Sequence, residues 1–229
     1  MTLLSLSHIL AGTLACLAGL AALVARKGCR THRFAGKVFI PSMLITGGGG
    51  AVYALDLPEA LTAMVGLLCC YLVLSGWHMV RRRTAKSKIA DLLSLSTALG
   101  LGFGFVALGV ATTPSEAAPY ITPEVFYAFG AITLAAAAAD FANYRVDGLS
   151  ARWRILQHLW RMGLTLFFAM GSLLDGPGTP IFPETLHGTL WLTAPVQLVG
   201  VATLYWFLIT LFGFRSGRKN ISAPVQQTR

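Results

Sequence analysis

Hydrophobic residues in this chain fall into seven long runs separated by short polar stretches, over residues 3–25, 34–55, 57–80, 89–111, 122–144, 153–174 and 186–214. A helix crossing a hydrocarbon core roughly 30 Å thick needs about 20 predominantly apolar residues, and each run is long enough. The pattern predicts an all-α, polytopic membrane bundle of seven transmembrane helices over residues 1–214. The polar segment that follows, 215–229, is expected to be a mobile cytoplasmic tail.

Composition strengthens this reading. The chain is 55% hydrophobic and only 12% charged, about half the charged fraction of a soluble domain. Its net charge of +9 would suggest nucleic acid if it lay on one soluble face, but the eighteen Lys and Arg residues sit in blocks between apolar runs. That arrangement describes topology and excludes nucleic acid as a partner. All eighteen follow odd-numbered helices or lie in the helix ends flanking those loops, whereas the opposite loops carry Asp56, Glu59, Glu116, Glu124, Asp175 and Glu184. The positive-inside rule then places the N-terminus outside and the C-terminus in the cytoplasm, which requires an odd number of crossings.

The first run has no base before it and a basic cluster after it, the reverse of a secretory leader, and is expected to stay as a membrane helix. Cys16, Cys69 and Cys70 lie within apolar runs and Cys29 in a basic loop, so no pair reads as a disulfide staple. Small residues mark helix contacts in lipid. His8, Gly12, Ala15 and Gly19 share one narrow face, and four consecutive glycines run from Gly47 to Gly50. Each glycine costs a helix about 1 kcal/mol relative to alanine. The run therefore marks a close approach of another helix or a flat ligand, or else a break in the helix.

Candidate chemistry rests on five histidines at two membrane levels. At 1.5 Å per residue a continuous helix from His8 to His32 would be roughly 36 Å long, putting the two on opposite faces. His8 and His187 belong to the outer ends of helices 1 and 7; His32, His78 and His158 belong to the inner ends of helices 2, 3 and 6. A bis-imidazole haem needs two facing imidazoles from different helices, small residues around the porphyrin and bases for its propionates. On the inner side the expected axial pair is His78, in SGWHMVRRR, and His158, in RILQHLWRM, holding haem iron or another metal. Arg81, Arg82, Arg154 and Arg161 would neutralise the propionates, and His32 is an alternative ligand or a headgroup contact. No base accompanies His8 and His187, so a second, outer haem has less behind it.

Asp140 is read as the one carboxylate beside an apolar run, where an unpaired charge costs about 2.5–3.5 kcal/mol. It needs a partner. A salt bridge to Arg145 or Arg161 is favoured over accepting the N–H of His158 or His78, or relaying protons. Tyr71, seven residues before His78, is placed to donate to a haem edge or a quinone, or to pack in the core. No nucleophilic triad, phosphate-binding glycine loop or zinc-protease helix is present, which removes the soluble-enzyme classes.

Through HILAG, HRFAGK and QHLWRM the chain resembles a family of bacterial multi-pass proteins known only as predicted membrane proteins of unknown function. The resemblance is carried by His8, Gly12, His32, Arg33, Gly36, His158, Arg161 and Met162. It implies a bacterial plasma (inner) membrane and no particular activity. The chain is also loosely similar to b-type di-haem helical-bundle cytochromes in having histidines at both levels. It departs from them because no helix carries two histidines about four turns apart. The expected function is electron transfer or quinone-linked redox chemistry through one inner haem b, with the bilayer, a quinone or a redox protein as partners. The alternatives are a proton- or metal-ion-handling transporter or channel, and a structural or assembly subunit without catalysis.

Overall fold

The computed structural model describes residues 3–53, 60–81, 88–114, 120–175 and 182–213. Among these the chain is all-helical. Its seven α-helices are α1 (Leu3–Val24), α2 (Arg30–Tyr53), α3 (Ala60–Arg81), α4 (Lys88–Ala111), α5 (Pro123–Arg145), α6 (Ala151–Asp175) and α7 (Leu190–Phe212), with one 3-10 turn at Glu184–Leu186. Five of them, α1, α3, α4, α5 and α7, are long and apolar enough to cross a membrane. The other two, α2 and α6, are as long but open on bases: Arg30, Arg33 and Lys37 in one, Arg152 and Arg154 in the other. Arg82 and the tail over 215–229 lie outside the described residues.

The runs and the helices agree closely, and two differences matter for the histidines. The chain does not continue as one helix from His8 to His32. It leaves α1 at Val24 and turns through Gly28, whose φ of 78° suits a residue without a side chain. The second helix starts at Arg30, earlier than the apolar run suggests, so His32 sits in its first turn. His187 lies in the connection before α7 rather than in the helix.

Two hydrophobic cores flank a wall made by α3 and α6. On one side Ala15, Cys16, Phe39, Met43, Val196 and Val199 from α1, α2 and α7 pack against Cys69, Val73, Leu166 and Met170. On the other, Ala98, Phe105, Phe126, Ala136 and Ala137 from α4 and α5 pack against Leu68, Tyr71 and Leu72. A helix turns about 100° per residue, so α3 can serve both cores. Its Cys69–Val73–Gly76 edge faces the first, and its Tyr71–Ser75–His78 edge faces the second.

The glycine run from Gly47 to Gly50 is continuous helix that lets two neighbours approach. A Cβ at Gly47 would lie 2.7 Å from the Gly66 carbonyl oxygen of α3, and one at Gly50 would lie 3.0 Å from the His8 ring of α1. The α2–α3 crossing is thus backbone on backbone.

Candidate functional site

The polar interior is built on the two edges of α3. On the Tyr71 edge, Asp140 from α5 is 2% exposed and accepts three hydrogen bonds. Arg161 Nη2 donates to Oδ1 at 2.6 Å, while Tyr71 Oη and Ser94 Oγ both donate to Oδ2 at 2.6 Å. Arg161 itself is fully buried. Its Nε and Nη1 have no hydrogen-bond partner, and its guanidinium lies 5.2 Å from the Trp160 ring and 5.8 Å from the Tyr71 ring. Cation–π attraction therefore covers donors that no acceptor reaches. Asp140 and Arg161 thus form an ion pair inside the bundle.

Further along the same edge, His78 Nε2 donates to Oδ1 of Asp91 at 3.2 Å. Asp91, on α4, is 2% exposed. Asp140 is therefore not the only buried carboxylate. The sequence did carry a sign of Asp91, an acid standing three residues beyond Lys88 in an otherwise basic block. Ser94 lies one turn further along α4 and carried no sign of its own.

On the Gly76 edge, His158 Nδ1 lies 3.1 Å from the Gly76 carbonyl oxygen of α3, and His32 Nδ1 lies 3.0 Å from the Ala22 carbonyl oxygen of α1. A carbonyl can only accept, so both rings carry their proton on Nδ1 and present an unprotonated Nε2 when neutral. The two rings meet edge to face, with centroids 6.5 Å apart and planes at 76°.

The pairing of His78 with His158 is not what the structure brings together. Residues 76 and 78 point roughly 200° apart on a helix. His158 therefore meets the Gly76 edge, while the His78 ring is turned toward Asp91 on α4. Two of the bases expected to meet propionates have other partners. Arg161 is bound to Asp140, and Arg81 stacks over Trp77 at 4.6 Å. Tyr71 is bound to Asp140 rather than open to a ligand.

At the other end of the bundle, His8 Nδ1 donates to the Thr46 carbonyl oxygen at 2.9 Å. His187 has a buried Nε2 without a hydrogen-bond partner. Among the described residues no ring or hydrogen-bond contact joins the two. No group of three or more His, Cys, Asp or Glu side chains that could hold a metal ion occurs among the described residues.

The turn between α1 and α2 carries a thiol of its own. The Cys29 carbonyl accepts from Arg33 N–H at 3.1 Å, and its Sγ accepts from His32 N–H at 3.5 Å. This backbone donor at a helix start, with Arg26 nearby, holds the Cys29 thiol below the usual range. Lys27 folds back onto the Leu23 and Ala22 carbonyls and over the Trp206 ring, and the resulting desolvation lowers its pKa. A depressed thiol pKa leaves thiolate present at lower pH. Alkylation of Cys29 should therefore begin to rise at a lower pH than that of free cysteine. Iodoacetamide labelling against pH, followed by peptide mass spectrometry, checks this, with Cys29→Ser as the control. Buried Cys16 and Cys69 should remain unlabelled.

No family model, no curated protein and no solved structure matches the chain.

Proposed function

We propose that this chain is a b-haem electron-transfer protein of a bacterial inner membrane, with His32 and His158 as the residues that would hold the iron. The observation that carries the reading is the anchored pair of imidazoles, from two different helices, each with Nδ1 tied to a main-chain carbonyl. Histidines that bind metals nearly always make such a bond with the other ring nitrogen, because it fixes the tautomer and aims the ligand. Arg33 follows His32 directly and Arg154 precedes His158 by one turn, so both are within reach of propionates. A bound haem would supply one-electron chemistry; the chain would supply ligands, orientation and exclusion of water.

In this reading all seven helices cross the membrane, with the N-terminus outside and the tail in the cytoplasm. The segregation of bases supports the orientation. That α2 and α6 match the others in length and pack against α3 supports counting them as spans.

The test is an absorption spectrum of protein expressed with haem supply and purified in detergent, oxidised and then dithionite-reduced. The expected result is a Soret band that disappears in His32→Ala and in His158→Ala and survives in His78→Ala and His187→Ala. A parent protein without a Soret band would overturn the reading. A second reading, proton handling, is favoured by the pairing of half-buried His78 with buried Asp91, with Ser94 one turn beyond it. It predicts proton flux in proteoliposomes that is lost in Asp91→Asn.

A further inference from the structure

A cavity of about 680 Å³ lies between α5 and α7 with α6 as its floor. That is the size of pockets that take drug-sized ligands. It follows α6 from Trp153 to Phe167, fifteen residues that rise roughly 21 Å. One wall is low because α5 offers Ala135 and Ala139 there, and Ala135 is exposed, so the groove opens sideways from the bundle. Most of its lining is aliphatic or aromatic.

The polar groups in this groove are few and point to one kind of ligand. Gln157 is 4% exposed, and its Oε1 accepts from Trp160 Nε1 at 3.0 Å. What it has left to offer is its amide N–H₂. Thr203, packed against Gly163, has a buried hydroxyl with no hydrogen-bond partner. The Trp153 indole N–H is already used by Asn143 Oδ1 at 2.7 Å. The Thr203 hydroxyl is sealed against Gly163, so the groove presents one available donor, the Gln157 amide, one turn before Trp160 on α6 and beside two indole rings. No carboxylate lines it. A ligand that fits is neutral and flat, carries carbonyl acceptors, and continues as a long apolar chain arriving from the bilayer.

We propose that this groove binds a para-quinone bearing an isoprenoid chain, its ring beside Trp153 and Trp160 and one carbonyl on the Gln157 amide. A donor facing an apolar groove without an acceptor costs free energy, and a quinone carbonyl relieves that cost where an acyl chain does not. Gln157 directly precedes His158, so the groove and the imidazole pair occupy neighbouring faces of one helix. The quinone's role as a redox partner rests on the haem reading; its binding does not.

The experiment uses the full chain in phospholipid nanodiscs free of quinone, titrated with a short-chain prenyl benzoquinone and read by quenching of tryptophan fluorescence. The expected result is saturable quenching. Ala139→Phe, which fills the low wall, and Gln157→Leu, which removes the donor, should each weaken it roughly tenfold or more at unchanged helical circular dichroism. Quenching that is linear, or equal in parent and variants, would overturn the proposal, as would a saturable signal abolished by extra phospholipid. Saturable quenching in a protein without a Soret band keeps the quinone site and rejects the haem. A Soret band without saturable quenching does the opposite.

Discussion

Arg161→Leu is expected to destabilise the protein by about 3–5 kcal/mol, the cost of stranding a buried charge by removing its partner. The substitution leaves the Asp140 carboxylate 2% exposed with only Tyr71 and Ser94 as donors. Neither hydroxyl carries a compensating charge. Asp140→Leu should cost a similar amount for the mirror reason, since Arg161 is fully buried and has no other anion among its partners. The double variant, Arg161→Leu with Asp140→Leu, removes both charges at once. It should recover most of the loss, because an ion pair replaced by apolar groups is often close to neutral. Thermal unfolding in detergent checks this, with the single variants lowered on the order of 10 °C. Single variants within 1 °C of the parent, or a double variant as weak as the sum of the singles, would show that the pair is not a closed unit.

The second large effect concerns the α2–α3 crossing. In Gly47→Val the new Cβ would lie 2.7 Å from the Gly66 carbonyl oxygen and 2.8 Å from Cys70 Sγ; in Gly66→Val it would lie 2.5 Å from the Gly47 oxygen. The obstructing atoms are mainly backbone, which cannot rotate away as a side chain can. The helices must separate, at a cost near the upper end of the 1–3 kcal/mol typical of overpacking. Gly48 provides the internal control. A Cβ there meets nothing within 4 Å, so Gly48→Ala should be neutral or stabilise the helix by up to about 1 kcal/mol. Melting temperatures of the three variants separate packing from propensity. If Gly48→Ala were as damaging as Gly47→Val, the run would be serving a purpose other than close approach.

These expectations also mark how far the candidate site could be read from residues alone. The need of Asp140 for a cationic partner was legible, because an unpaired charge in an apolar run is costly wherever the helix sits. Arg161 was one of two arginines able to meet it. That Tyr71 and Ser94 would complete the same carboxylate was not legible, since neither hydroxyl disturbs the apolar pattern. Asp91 stands as an acid among bases, a pattern that a solvated helix end shows as well, and only the packing of α4 against α3 buries it. The pairing of the histidines was not legible, for a geometric reason. Membrane depth can be counted along the chain, but His32, His78 and His158 lie at comparable depth, and depth does not say which two face each other.

What the sequence determined by itself was the set of helices, their approximate ends and the segregation of charge. Those follow from local quantities, the rise per residue and the cost of placing a charge in an apolar run. The tertiary structure alone decided the partners. Once Gly47 and Gly66 bring α2 against α3, and Gly76 brings α6 against the opposite edge from His78, His158 is turned toward His32 and His78 toward Asp91. A difference of two residues along α3 is roughly half a turn. Half a turn separates an imidazole pair from an imidazole–carboxylate pair, and only the packing of neighbouring helices shows which residue falls on which side.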